Sequence, residues 1–514
     1  MRKSIVHLTI SILVFILLYL PIRGAIVDDT YIHLQYARNL VTHHEISFNP
    51  GEPTYGATSP LWVFLLSVFY LIKVDPVIWC RVLSTVLAVT SLIIVYRLSY
   101  NLSGSYAISF IASLLLASEA WFIRWSAVGM ETSLAVFMIT VSLYLFSKSN
   151  SGVRNSVIFG IFLFLSYLAR PELILAVPLF LFASAARWGL RRVRYGGYVV
   201  FVVLVALWLL FIRSHTGTFF PLTAGAKQGR IFLDSSLFAR GMIPVKIIGA
   251  TMAVAVLSSL VALIVGLVRG NALTFFVPDM DPSIDTRDID SCVLFMILWL
   301  FVLPLAYVIM NFQIISRYIV PVMPALVILG SSAIVNLSTM VIGKGRLRKV
   351  VMVSIVVVAM LQSSIFYFFI VVPPTKQFTE GLNRVLVGMG KWLRDNTPPS
   401  SVIAVPDIGA VGYYSQRKIL DLGGLVSPEI NRIRREVDYE DMLAKGLYLK
   451  FHPQYLIDRS PVEKRFAHVV IEGNRFVPLL EGRISSLGIR KKGPFIYVLY
   501  RIESISSKKP PEDH

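Results

Sequence analysis

The chain has 514 residues, 55% hydrophobic and only 15% charged, with a mean hydropathy of +0.69. Soluble domains carry about 25% charged residues, so the composition excludes a soluble globular protein and describes a polytopic membrane protein. The net charge of +19 fits basic loops that set orientation and meet anionic headgroups, and no zinc-finger spacing or basic-aromatic stripe supports nucleic-acid binding. Cys80 and Cys292 lie in apolar segments and imply neither a disulfide framework nor a Cys-based metal site.

The N-terminus, MRKSIVHLTISILVFILLYLPI, places Arg2 and Lys3 before a long apolar run. No small-x-small cleavage site follows, so the run is expected to stay as an anchor. The next stretch, AIVDDTYIHLQYARNLVTHHEISFNPGEPTYGATSPLW (25–62), sets Asp28 and Asp29 side by side. TYIHLQYARNL is amphipathic at helical spacing, with Ile32, Tyr36 and Leu40 on one face and His33 and Arg38 elsewhere. Either aspartate is suited to cap this helix. Capping needs only one, and a second like charge at a membrane boundary is costly unless a cation or a reaction uses it. The apolar segment 60–72 covers only ~20 Å of a ~30 Å hydrocarbon core, which predicts an interfacial or re-entrant helix.

Further apolar runs lie near 77–97, 105–122, 131–147, 155–169, 171–186, 196–212, 243–268, 291–311, 317–336 and 349–371. With the first run, 4–22, they predict about eleven spans. Arg2 and Lys3, ARWGLRRVRYG (186–196) and GKGRLRK (343–349) are expected at the cytoplasmic face. Residues 23–76, 123–131, 213–242, 312–317 and everything after about 372 then fall on the outer side. There Arg124 and Glu131 flank a short turn, and Arg170, Pro171 and Glu172 form another. His215, Lys227 and Arg230 share the loop 213–230, and Arg317 with Tyr318 opens SRYIVPVMP (316–324). Singly, each is an ordinary headgroup contact. Together they suit an anionic lipid phosphate beside a base. From about 375 charge density rises, and SVIAV, KILDL, QYLID and FIYVLY alternate with helix-like stretches such as 380–396. A small mixed α/β domain over 375–505 is predicted beyond a transmembrane domain 1–372, with a disordered tail 506–514.

The stretch DDTYIHLQYARNL…FNPGEPTYGATSPLW resembles the first outer loop of the GT-C superfamily of membrane glycosyltransferases, and within it the arabinofuranosyltransferase branch. VGMETSL (128–134), SRYIVPVMP and the segment VIAVPDIGAVGYYSQRKILDLGGLVSP (402–428) resemble further parts of that pattern. The resemblance implies a polytopic GT-C fold at the plasma membrane, with its C-terminal domain outside. It also implies transfer of a sugar from a polyprenyl-phosphate carrier to a hydroxyl of a glycan, lipid or protein, with inversion. By the same pattern Asp28 is the base, with Asp29 the close alternative, and Glu131 orients the acceptor or a sugar hydroxyl. Arg317, with Tyr318 beside it, and Lys227 meet the carrier phosphate. Arg124, Tyr55 and His33 complete the candidate substrate contacts, with His33 expected on the helix surface and not on a metal. YARNL follows Gln35 where the pattern often has arginine, which weakens donor contacts at that turn. Two carboxylates and a phosphate also suit Mg²⁺ or Mn²⁺. The resemblance to users of monophosphate carriers implies that no metal is required. A transporter or flippase of lipid-linked sugars, or a non-catalytic cell-wall assembly protein, is the alternative. Charges gathered at one face and the lack of paired repeats argue against transport.

Overall fold

In a computed structural model, which describes residues 2–149, 152–222, 236–270, 273, 276, 286–488 and 491–505, eight helices are long and apolar enough to cross a membrane. Their outward faces are apolar as well. Val199, Val202, Leu207 and Leu210 on Gly196–Thr216 are exposed, as are Val350, Val353, Val357 and Leu361 on Arg346–Phe366. Stripes of this size are unfavourable in water and neutral against lipid tails, so the chain is a multi-pass membrane protein.

The predicted runs map onto these helices with two adjustments. The run at 105–122 is a pair, Tyr106–Ala117 and Ala120–Ala127, bent by 57°. Glu119 sits at the bend and accepts a hydrogen bond from the Phe122 N–H at 2.6 Å, capping the second helix. The runs at 131–147 and 155–169 form shorter helices, Thr132–Lys148 and Val153–Ala169. The segment expected to be interfacial is the 12-residue helix Pro60–Leu71, about 18 Å long.

The last membrane helix does not stop at the expected domain boundary. It runs from Arg346 to Asn396, 51 residues, and carries the chain into the C-terminal domain. Pro373 and Pro374 remove two N–H donors that an α-helix would use. The backbone widens into a π-turn at Tyr367–Val371, just before them, and again at Asn383–Val387, so the helix continues.

The C-terminal domain holds a six-stranded sheet of order β2-β1-β3-β6-β5-β4. Its strands are β1 (Val402–Val405), β2 (Lys418–Asp421), β3 (Tyr455–Ser460), β4 (Val470–Ile471), β5 (Asn474–Leu487) and β6 (Lys491–Ser504). β2, β1 and β3 are parallel and the rest antiparallel. Sequence periodicity anticipates four of these strands and misses β4 and β5. β5 contains Pro478 and Gly482 and shifts register between Pro478 and Leu480, which breaks the alternation. The predicted tail 506–514 lies outside the described residues.

The first loop and the C-terminal domain are built on one core. Tyr36, Phe48 and Trp62 of the loop share a buried cluster with Val405, Ile408, Val411 and Ile419. Asn49 closes the edge of β2 by exchanging two hydrogen bonds with the backbone of Ile419, each 2.9 Å.

Candidate active site

The amphipathic stretch after the doublet forms the helix Asp28–Thr42. Val27 occupies its cap position without a side-chain bond, so neither aspartate caps its own helix. Asp28 instead reaches the start of the helix Ile408–Ser415 in the C-terminal domain. Its Oδ2 accepts from the Gly409 N–H at 2.9 Å and its Oδ1 from the Ala410 N–H at 2.8 Å. The approach is so close that a Cβ on Gly409 would lie 2.0 Å from the Asp28 carbonyl oxygen. Desolvation at this junction, together with the charge of Asp407, pushes the Asp28 carboxyl up to about 7 against the pull of the two N–H groups. Asp29 turns elsewhere. Its Oδ2 meets Arg317 Nη1 at 2.8 Å, and its side chain stays 39% exposed.

Arg317 and Arg124 converge on one indole. The Arg124 guanidinium lies 4.5 Å from the Trp125 ring and that of Arg317 lies 5.8 Å from it, while Trp125 Nε1 donates to Ser316 Oγ at 2.9 Å. Arg317 has Asp29 as its counter-charge. Among the described residues no carboxylate lies within 4.0 Å of Arg124, which is 7% exposed and whose Nε is without a hydrogen-bond partner. Both arginines and both aspartates line a cavity of about 1360 Å³ between the helix bundle and the C-terminal domain. Among the described residues, five cations (Arg124, Arg240, Lys246, Arg317 and Arg459) line it against three carboxylates, Asp28, Asp29 and Asp407. Trp121, Ile243, Ile247 and Phe366 give it an apolar stretch of wall. Such a surface attracts an amphiphilic anion.

A buried charge network stands behind this cavity. Glu131 Oε1 meets Arg170 Nη1 at 3.2 Å and Glu131 Oε2 meets His33 Nε2 at 3.3 Å. Arg170 Nε donates to Glu172 at 2.5 Å, and the Tyr307 hydroxyl donates to the same carboxylate. Tyr318 stacks on Tyr307 with centroids 5.0 Å apart, and the Arg170 guanidinium lies 4.9 Å from its ring. Arg317 Nη2 donates to the Tyr318 hydroxyl at 3.4 Å, which joins the network to Asp29. Burial of these charges is tolerable because each is paired.

Several expectations change on this geometry. Glu131 is not among the residues lining the cavity; its oxygens face Arg170 and His33. His33 is buried against Glu131 and is not a helix-surface residue. Tyr318 also lies off the cavity wall, between Arg170 and Arg317. Tyr55 lines a separate small pocket with Trp208 and makes no contact with the doublet's cavity. Lys227 lies outside the described residues. Asp407, Arg459, Lys246 and Arg240 were missed. The signal for Asp407 was present: an aspartate just past a strand, after Pro406 and before Ile-Gly, reads as a helix start. Arg459 lies near the end of β3 between Asp458 and Ser460 and carried no comparable signal.

The carboxylates here are engaged by donors: Asp28 by two N–H groups, Asp29 by Arg317, and Asp407 by Arg459 and Tyr497. Among the described residues no group of three or more His, Cys, Asp or Glu side chains is placed to hold a metal ion. With its carboxylates already engaged, the set turned to the cavity suits an anion.

Nothing among the curated proteins matches the chain. A family model described only as a domain of unknown function (DUF8728) matches residues 376–495, most of the C-terminal domain. Three solved structures are similar over nearly the whole chain. ArnT from Cupriavidus metallidurans bound to undecaprenyl phosphate is 14% identical, with a TM-score of 0.58 over 98% of this chain and 99% of that one. The Archaeoglobus fulgidus oligosaccharyltransferase in complex with Zn and sulfate is 13% identical, with a TM-score of 0.60 over 88% of this chain and 67% of that one. AglB from the same organism, in complex with an inhibitory peptide and a dolichol-phosphate, is 13% identical, with a TM-score of 0.58 over 88% and 69%. The chain has the GT-C fold. At these identities the likeness concerns architecture, and the chemistry has to be argued from the chain's own residues.

Proposed function

We propose that the protein transfers a glycosyl residue from a polyprenyl-phosphate-linked sugar to an acceptor hydroxyl in the cavity at the aspartate doublet. The observation that carries this is the convergence of Arg124 and Arg317 beside Asp29, with one of the two guanidinia lacking a carboxylate among the described residues. Phosphate is the anion that two converging guanidinia hold best, and the apolar wall suits a prenyl chain. The structural neighbours bound to undecaprenyl phosphate and dolichol-phosphate support the same donor class.

In this reading the acceptor oxygen attacks the anomeric carbon from the face opposite the carrier. The bond from that carbon to the phosphate oxygen breaks, and its electron pair leaves with polyprenyl phosphate. The hydroxyl proton passes to Asp29, and the configuration inverts. Asp29 is preferred over Asp28 because its carboxylate is open to the cavity, whereas both Asp28 oxygens hold the Ile408–Ser415 helix. Arg317 and Arg124 stabilise the charge that grows on the departing phosphate. Glu131, His33 and Arg170 fix Arg317 from behind.

The basic loops support a particular side of the membrane. Arg346 begins the helix that ends in the C-terminal domain, and the run Ser316–Ile342 leads from Arg317 toward the same loop, GKGRLRK. The cavity is therefore at the end away from that loop, which supports an extracytoplasmic site. The first-loop wording favours a pentofuranosyl donor.

The test uses purified protein in lipid nanodiscs, given polyprenyl-phosphate pentofuranose or hexose with mixed acceptors. Wild type is expected to release polyprenyl phosphate. Asp29→Asn is expected to lower that release 10²- to 10⁴-fold, the range of a general base. Undiminished release in Asp29→Asn would contradict the assignment, and sugar crossing a liposome without bond cleavage would favour a transporter.

A further inference from the structure

The wall that the C-terminal domain gives to the cavity takes no part in the steps above. It consists of Asp407, Arg459, Leu487 and Gly488. Asp407 holds the cap position of the helix Ile408–Ser415, where an aspartate ordinarily folds back onto its own N–H groups. Here its side chain makes no cap bond, because Asp28 from the first loop serves Gly409 and Ala410 in its place. Relieved of capping, the Asp407 carboxylate turns to the cavity. Arg459 Nη1 holds its two oxygens at 2.8 and 2.9 Å, and the Tyr497 hydroxyl donates to Oδ2 at 2.7 Å.

The pair is braced from behind and reachable in front, with Arg459 28% and Asp407 23% exposed. A largely buried ion pair is weak evidence for stability, because desolvation offsets its attraction. The space before it is built for a ligand with oxygens. From the membrane side Arg124 reaches across to Gly488, where a Cβ would lie 3.9 Å from its Nη2, and its buried Nε is without a partner.

We infer that Asp407 and Arg459 form the acceptor subsite, and that the group it takes is a vicinal diol of a sugar. A carboxylate accepts from one hydroxyl while the guanidinium beside it donates to the next, a match that adjacent ring hydroxyls meet and a simple alcohol does not. The alcohol leaves one of the two charged groups desolvated with a hydrogen-bonding position unfilled. This inference rests on glycosyl transfer at the doublet.

The experiment uses the full-length protein in nanodiscs with a polyprenyl-phosphate sugar as donor, and hexyl glycosides or hexanol as acceptor. Wild type is expected to favour the glycosides over hexanol at least tenfold in kcat/KM. Arg459→Lys, which keeps the charge and loses the planar fork, is expected to raise the glycoside KM at least tenfold and to erase the preference. Its donor KM should move less than twofold. Asp407→Asn should behave alike, and Tyr497→Phe, which only loosens the brace, should raise the glycoside KM by a smaller factor. Thermal unfolding is followed for all three, and Tyr497→Phe carries the test if the other two do not fold. A glycoside KM that stays put in folded Arg459→Lys, or in Tyr497→Phe where that variant carries the test, overturns the subsite. So does a wild type that uses hexanol as well as glycosides. If the wild type releases no polyprenyl phosphate with any acceptor, the transfer reading itself fails. If it releases it but ignores glycosides, only the diol subsite fails.

Discussion

At the start of the helix Asp28–Thr42, two carboxylates one residue apart leave the axis roughly 100° apart, so one turns to the C-terminal domain and the other to Arg317. The sign of the resulting pH effect can be worked out. Burial and Asp407 raise the folded-state pKa of Asp28 to about 7, above the value near 4 of a free aspartate. The folded protein then binds the extra proton between those values, so this contribution is present at low pH and is lost as pH rises through about 7. Thermal unfolding from pH 5 to pH 8 should show wild type losing stability relative to Asp28→Asn. Parallel curves would refute the shift. Asp421, buried and pushed up to about 6, acts with the same sign in both proteins and cancels in the difference. The doublet itself was legible in the sequence, as was its need for a cation. Which aspartate keeps its carboxylate open to the cavity was not, because the other is taken up by a helix some 380 residues away in the chain.

Among the elements, the contact between the doublet helix and Ile408–Ser415 holds the cavity's two walls together. Gly409 is required there by close approach, and Gly409→Ala would drive a methyl into the Asp28 backbone. We expect it to destabilise by about 1–3 kcal/mol, measured by thermal unfolding. Gly388→Ala, a helical position with nothing within 4 Å of the added atom, should be neutral or slightly stabilising. Equal effects would mean that the junction is not tight. The long apolar runs were legible because lipid-facing helices advertise their length in composition. The bend at Glu119 and the π-turns before and after the two prolines were not. Each depends on where freed backbone groups find partners.

At the scale of the molecule, an apolar bundle and a small sheet domain meet over one cavity, and charge of both signs is gathered at that seam. The charge pattern of the sequence placed Arg124, Arg317 and the doublet at one end, and they do line one cavity. It could not place Asp407 or Arg459, whose approach depends on how the C-terminal domain docks. The carrier phosphate is expected to bind at Arg124 and Arg317, at the end of the bundle away from the loop GKGRLRK. Cryo-electron microscopy of the full chain with polyprenyl phosphate in nanodiscs tests it most directly. We predict phosphate oxygens within about 3 Å of both guanidinia, with the prenyl chain leaving past Trp121 and Ile247. Phosphate seated at the opposite end of the bundle, or in the cavity with both arginines uncontacted, would contradict the account.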